Sequence, residues 1–308
     1  MEPDMSIDIA GIHLASPVLT ASGTCGYADE LEGLLDLDAI GGLITKAITL
    51  RPCAGNRPPR CVETDAGMLN SIGLANIGLE RFIAEKLPII RRMRIPVIVN
   101  VAGQTVEEYA SVIAALADSG VIAGFELNVS CPNVKHGGIA FGTDPGMVAD
   151  VTCAAKASAG QVPVFVKLTP MVTDITAIAK AAVEAGADGL SLINTIPGMA
   201  IDIQTRRAIL GNRTGGLSGP AIRPVAVYLV HKVYTGLARD AGVPIIGTGG
   251  IMDAADALEL IMAGAAAVAV GTGTFVDPAC AMKVSAGIRQ YCIQHGIGRY
   301  IDLVGSLR

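Results

Sequence analysis

Eight short runs of β-branched and aliphatic residues, spaced along the whole chain, constrain this sequence more than any other feature. They are "PVLTAS" (17–22), "GGLITKAI" (41–48), "IPVIVNVAG" (95–103), "GFELNVSCPN" (124–133), "VPVFVKLTP" (162–170), "GLSLINTI" (189–196), "PIIGTGGI" (244–251) and "AVAVGTGTF" (267–275). Each is nearly continuous in hydrophobicity rather than alternating, as expected of strands buried on both faces of a parallel sheet. Between them lie amphipathic stretches such as "TVEEYASVIAALADSG" and "DITAIAKAAVEAGADG", with glycine near the end, where helices tend to stop. Repeated eight times, this alternation predicts an α/β fold, a (β/α)8 TIM barrel, and 308 residues suit one such domain spanning 1–308. An open doubly wound sheet is the alternative, but no G-x-G-x-x-G fingerprint follows the first run.

Two insertions interrupt the rhythm, residues 49–80 after the second run and 197–220 after the sixth. Both follow predicted strand C-termini, the face on which barrels carry their sites, so both are expected to cover a substrate. "IDIAGIHLAS", ahead of the first run, predicts an N-terminal hairpin closing the opposite end.

Composition excludes several classes of function. The net charge is −5 and there is no basic run, which speaks against nucleic acid and against anionic membrane surfaces. No apolar stretch reaches the ~18–20 residues of a spanning helix, and "MEPDMS" is unlike a secretory or transit peptide. A cytoplasmic protein is expected. The seven cysteines are scattered and form no C-x-x-C pair, so neither a disulfide framework, a metal site nor an iron–sulfur cluster is expected in this chain.

In a barrel, the last residues of the runs converge on one pocket. That inventory is Ser22, Lys46, Asn100, Asn128, Lys167, Asn194, Thr195, Gly249, Gly250, Gly271 and Thr272. Lysines and asparagines at the ends of apolar strands are costly unless they meet a ligand or one another. "GTGGI" and "GTGTF", after runs seven and eight, occupy the two loops that in barrels often hold a phosphate on backbone N–H groups. Lys46 and Lys167 allow two chemistries. One is a Schiff base, as in a lyase using Lys167; the other is stabilisation of negative charge on a bound ring such as a flavin. The asparagine-rich lining favours the second, because carboxamides both donate to and accept from a ureide-like ring edge.

Cys131 stands between Asn128 and Asn133 where the fourth run gives way to a loop, with Pro132 fixing the backbone after it. A thiol of ordinary pKa about 8.5 suits removal of a weakly acidic C–H proton. His136 is the weaker candidate, expected on the loop surface.

"NVSCPNVKHGGIAFGTDP", "NSIGLANIG", "VKLTPMVTDI" and "NRTGGLSGPAIRP" resemble the dihydroorotate dehydrogenases, and the class 1B (NAD-dependent) catalytic subunits in particular, from about residue 6 to residue 305. The resemblance implies an FMN enzyme of pyrimidine biosynthesis that oxidises dihydroorotate to orotate. Cys131 would be the base that removes the C5 proton, while the C6 hydride passes to FMN N5. It further implies substrate contacts from Lys46, Asn70, Ser71, Ile72, Gly73, Leu74, Asn128, Asn133, Asn194 and Thr195. The implied FMN contacts are Ser22, Lys46, Ala47, Asn100, Asn128, Lys167, Ile193, Gly219, Gly249, Gly250, Gly271 and Thr272. Members of class 1B pair with an electron-transfer subunit carrying FAD and a [2Fe–2S] cluster that delivers electrons to NAD+, two copies of each chain forming a heterotetramer. Rival readings are a class 1A-type fumarate-dependent homodimer, a dihydropyrimidine dehydrogenase-like flavoenzyme, and the Schiff-base lyase. Ala75 and Ile77 replace the usual Gln and Pro of the "NSIGL" loop, and Cys25 stands where an aromatic is common.

Overall fold

The structure is a computed structural model describing residues 2–27, 29–31, 33–34, 36–130 and 141–308. Eight parallel strands close into a barrel in sequential order: β1 (Val18–Thr20), β2 (Gly42–Ile44), β3 (Val97–Val101), β4 (Gly124–Asn128), β5 (Val164–Leu168), β6 (Gly189–Leu192), β7 (Ile245–Thr248) and β8 (Ala267–Val270). Helices surround the barrel, and strands such as β3 and β5 are buried at every position. Their continuous Val/Ile/Leu content follows from that: one face packs on the barrel interior and the other on the helices.

Each strand falls inside its predicted run but stops short of its end. The run 41–48 yields only Gly42–Ile44, because the Lys46 amide donates to the Gly26 carbonyl instead of extending the ladder. The run 124–133 yields Gly124–Asn128. Apolar composition does not separate the paired segment from residues that leave the barrel to build its mouth.

The helices start and stop where their side chains dictate. Thr105 caps Val106–Ala117 by accepting from the Glu108 amide, and Asp174 caps Ile175–Glu184 by accepting from that of Thr176. Gly120 and Gly186, both at positive φ, take the chain out beyond them. No helix among the described residues is long and apolar enough to cross a membrane.

The N-terminal hairpin pairs Ile7–Ile9 with Ile12–Leu14 and plugs the end at which the strands begin. A β-carbon on Gly124, the first residue of β4, would lie 2.9 Å from Ile12 Cδ1, so that glycine admits the plug. At the other end the two insertions form one element. Cys61–Thr64, Gly67–Asn70, Thr214–Ser218 and Ile196–Met199 make a four-stranded antiparallel sheet, with Asn70 opposite Gly216 and Ile196 opposite Leu217.

Candidate functional site

The strand C-termini and this sheet enclose a cavity of about 630 Å³, a size typical of sites for cofactors and small molecules. Ser22 after β1, Lys46 and Ala47 after β2, Asn100 in β3, Asn128 in β4 and Lys167 in β5 all line it. Ile193, Asn194 and Thr195 after β6, Gly249 and Gly250 after β7, and Gly271 and Thr272 after β8 complete the ring. Asn70, Ser71, Ile72, Gly73, Leu74 and Gly219 reach the same cavity from the two insertions. Cys131, Asn133 and His136 lie outside the described residues, but Ser130 and Thr143, on either side of that segment, both line the cavity.

The floor is a buried polar network. Lys167 Nζ donates to Ser22 Oγ at 3.0 Å and forms an ion pair with Glu126 Oε1 at 3.5 Å. Asn100 Nδ2 donates to the same Glu126 oxygen at 2.6 Å. Glu126 and Asn100 are shut off from solvent, and Lys167 is only 6% exposed. A buried charge this deep is tolerated because it is paired and hydrogen-bonded. Asn100 Oδ1 is buried and has no hydrogen-bond partner among the described residues.

The walls divide by chemistry. Asn194 Nδ2 donates to Asn128 Oδ1 at 3.4 Å, and Asn194 Oδ1 accepts from the Thr195 amide at 2.8 Å, which locks these carboxamides side by side. Among the described residues, the Lys46 ammonium makes no ion pair or hydrogen bond and is available to an anion. On the β7–β8 side, the amides of Gly249, Gly250 and Gly271 lie beyond their strands and meet no acceptor among the described residues. Gly249 and Gly250 take φ of +135° and +78°, which a side chain would disfavour. Thr272 Oγ1 donates to Ser218 Oγ at 2.7 Å and ties this edge to the covering sheet. Glycine amides without an acceptor among the described residues, in the same cavity as the carboxamides, suit a ligand that has both a phosphate and a polar ring, as FMN has.

Several lining residues escaped sequence reasoning. Ser130, Thr169, Ser218 and Phe275 carry no signal beyond their neighbours. Glu126 does carry one, since it is an ionisable residue in the middle of an otherwise apolar strand.

Comparison with known proteins places these features in a wider group. The family model described as "Dihydroorotate dehydrogenase" matches residues 5–291. A protein of Geotalea daltonii named "Dihydroorotate dehydrogenase B (NAD(+)), catalytic subunit" is 54% identical over 307 residues, covering 100% of this chain and 99% of the relative. Relatives of the same name are 51% identical in Pelobacter propionicus, over 100% of this chain and 99% of theirs. The one in Geobacter sulfurreducens is 50% identical over 99% of both chains.

Proposed function

The chain belongs to the dihydroorotate dehydrogenase family, and on that premise we propose that it oxidises dihydroorotate to orotate in pyrimidine biosynthesis, with NAD+ as the final acceptor. One observation carries the reading. Among the described residues, one cavity offers glycine amides without an acceptor on its β7–β8 side, together with carboxamides and a lysine that makes no ion pair. A phosphate-bearing ring cofactor and a small anionic ring substrate need that pairing of surfaces.

FMN, when bound, supplies the hydride acceptor. Gly249, Gly250, Gly271 and Thr272 would hold its phosphate on backbone N–H groups. Ser22, Ala47, Asn100, Lys167, Ile193 and Gly219 surround the remainder, with the Lys167 ammonium providing positive charge where the ring gains negative charge. Lys46 attracts the substrate carboxylate. Asn128, Asn133, Asn194 and Thr195 hold the edge of the substrate ring, and the 70–74 loop covers it. Cys131 removes the proton from C5 while the hydride leaves C6, and a thiol of ordinary pKa about 8.5 then releases that proton to solvent. Enclosure by the covering sheet excludes water and strengthens each of these polar contacts.

A partner subunit carrying FAD and a [2Fe–2S] cluster would supply the electron path to NAD+, in a cytoplasmic heterotetramer of two copies of each chain. The relatives' names, each ending in "catalytic subunit", support the existence of a partner subunit. Co-expression tests it: a flavin- and iron-containing protein should co-purify, and its addition should confer NAD+ reduction on the isolated chain.

The purified chain should be yellow and bind one FMN per chain. Cys131→Ala should retain FMN and lose roughly 10²–10⁴-fold in flavin reduction by dihydroorotate, the span of a general-base contribution. A colourless protein that cannot be reconstituted would refute the flavin reading, and a near-normal rate in the variant would refute the role of Cys131.

A further inference from the structure

Glu126 has no place among the roles assigned above, yet it is the shared partner of Asn100 and Lys167, both of which line the cavity. It lies in β4 at 1% exposure, directly across the ladder from Asn100 in β3. A single carboxylate oxygen accepts from Asn100 Nδ2 at 2.6 Å and pairs with Lys167 Nζ at 3.5 Å. Two consequences follow from the chemistry of those groups.

The first concerns Asn100. Its carboxamide has one donor end and one acceptor end, and a carboxylate accepts only. Turning the amide over would set Oδ1 against the Glu126 oxygen, two acceptors in contact. Glu126 therefore dictates that Nδ2 faces the carboxylate, while Oδ1 is buried and has no hydrogen-bond partner among the described residues. The second concerns Lys167, whose ammonium is partly neutralised by the carboxylate beside it. Stability alone is a weak reason to keep such a pair, because the desolvation of both charges offsets most of their attraction.

We propose that Glu126 is a positioning residue that tunes the bound flavin: it holds Asn100 with its carbonyl toward the cofactor ring and, by offsetting the charge of Lys167, lowers the flavin reduction potential. This rests on the functional reading above, since it concerns the same cavity. A negative charge in the network opposes the gain of negative charge by the ring, and its removal favours the reduced form.

The test uses the full-length, FMN-loaded chain and its Glu126→Gln variant. Glutamine keeps an oxygen that accepts from Asn100 and Lys167 while removing the charge. Anaerobic equilibration with a reference dye should show the potential of the variant raised. Loss of a unit charge in a buried network of effective dielectric about 20 should favour reduction at least about tenfold, equivalent to about 30 mV for a two-electron couple. Fluorescence titration should show oxidised FMN bound within about threefold of the parent affinity. Glu126→Leu, which also frees the Asn100 amide to turn, should weaken FMN binding by about tenfold or more. A Glu126→Gln potential equal to or below that of the parent would overturn the inference.

If Glu126→Gln does not fold, Lys167→Met and the double variant E126Q/K167M decide the question, since the pair is then neutral on both sides. The double variant should have the higher potential of the two, and equal potentials would overturn the inference. A parent chain that takes up no FMN would overturn the functional reading together with this one. A flavin-loaded parent with an unshifted variant overturns this one alone.

Discussion

The Tyr109 hydroxyl donates a 2.8 Å hydrogen bond to the main-chain carbonyl of Asn128, joining the helix Val106–Ala117 to the last residue of β4. The same ring meets Phe141 edge-on, with centroids 6.0 Å apart and planes at 85°. One buried side chain thus holds the backbone before the segment that carries Cys131 and packs on a side chain after it. Tyr109→Phe keeps the ring contact and removes the donor from a buried carbonyl. We expect a loss of about 1–3 kcal/mol in urea unfolding. Flavin reduction by dihydroorotate should also fall by a larger factor than FMN affinity. Equal losses in rate and FMN affinity would show that Tyr109 supports the barrel in general rather than this segment.

The glycines of the β7 and β8 loops should separate folding from cofactor binding. A β-carbon on Gly271 would meet Ala21 Cβ at 3.5 Å and Thr24 Cγ2 at 3.9 Å, which is ordinary contact, and the φ of Gly271 is not positive. Gly271→Ala should therefore unfold within about 0.5 kcal/mol of the parent while binding FMN more weakly, because the added methyl keeps the phosphate from its amide. Gly250 has φ +78°, and a β-carbon there would lie 2.5 Å from Arg223 Cβ. Gly250→Ala should cost about 1–3 kcal/mol of stability from backbone strain alone. Thermal unfolding of the apo-proteins beside FMN fluorescence titration checks both. Normal FMN affinity in Gly271→Ala would place the phosphate elsewhere.

Alkaline pH should lower the stability of the protein in two stages. Burial raises the thiols of Cys25, Cys280 and Cys292 above their ordinary value, that of Cys280 to about 11. Burial likewise raises the Tyr27 phenol to about 12, and that of Tyr300, fully buried with its hydroxyl donating to the Ala266 carbonyl at 3.1 Å, further still. A group whose pKa is higher in the folded state contributes stability that is complete below its unfolded pKa and is lost as pH rises toward the folded one. The unfolding free energy should hold to about pH 8.5, decline as the thiols begin to ionise in the unfolded chain, and steepen above about pH 10 as the phenols follow. Tyr300→Phe should cost about 1 kcal/mol at neutral pH and show a shallower decline above pH 10. A stability flat from pH 8 to 11 would contradict this.

The barrel was legible in the sequence because its strands are buried on both faces, which forces continuous runs such as "VPVFVKLTP" and removes the ambiguity of an alternating pattern. Strand ends were not legible, since residues such as Lys46 and Asn194 sit in apolar surroundings whether they belong to the ladder or to the mouth. The covering sheet was also out of reach. Its central pairing, Asn70 against Gly216, joins segments nearly half the chain apart, and "TGGLS" has a single β-branched residue, Thr214. Glu126 was overlooked for a different reason: an inventory of strand ends passes over a charge two residues earlier, although its place within "FELN" already required buried partners. Those partners, Asn100 and Lys167, were both in the inventory, and only the closed geometry shows the three to be one network.

The most direct measurement is an anaerobic titration of the FMN-loaded chain with dihydroorotate, followed by the visible absorbance of the flavin. The flavin band should bleach completely at about one dihydroorotate per chain with release of orotate, while dihydrouracil, which lacks the carboxylate that Lys46 attracts, should bleach it poorly. A band unchanged by dihydroorotate, or bleached more readily by dihydrouracil, would contradict the proposed function.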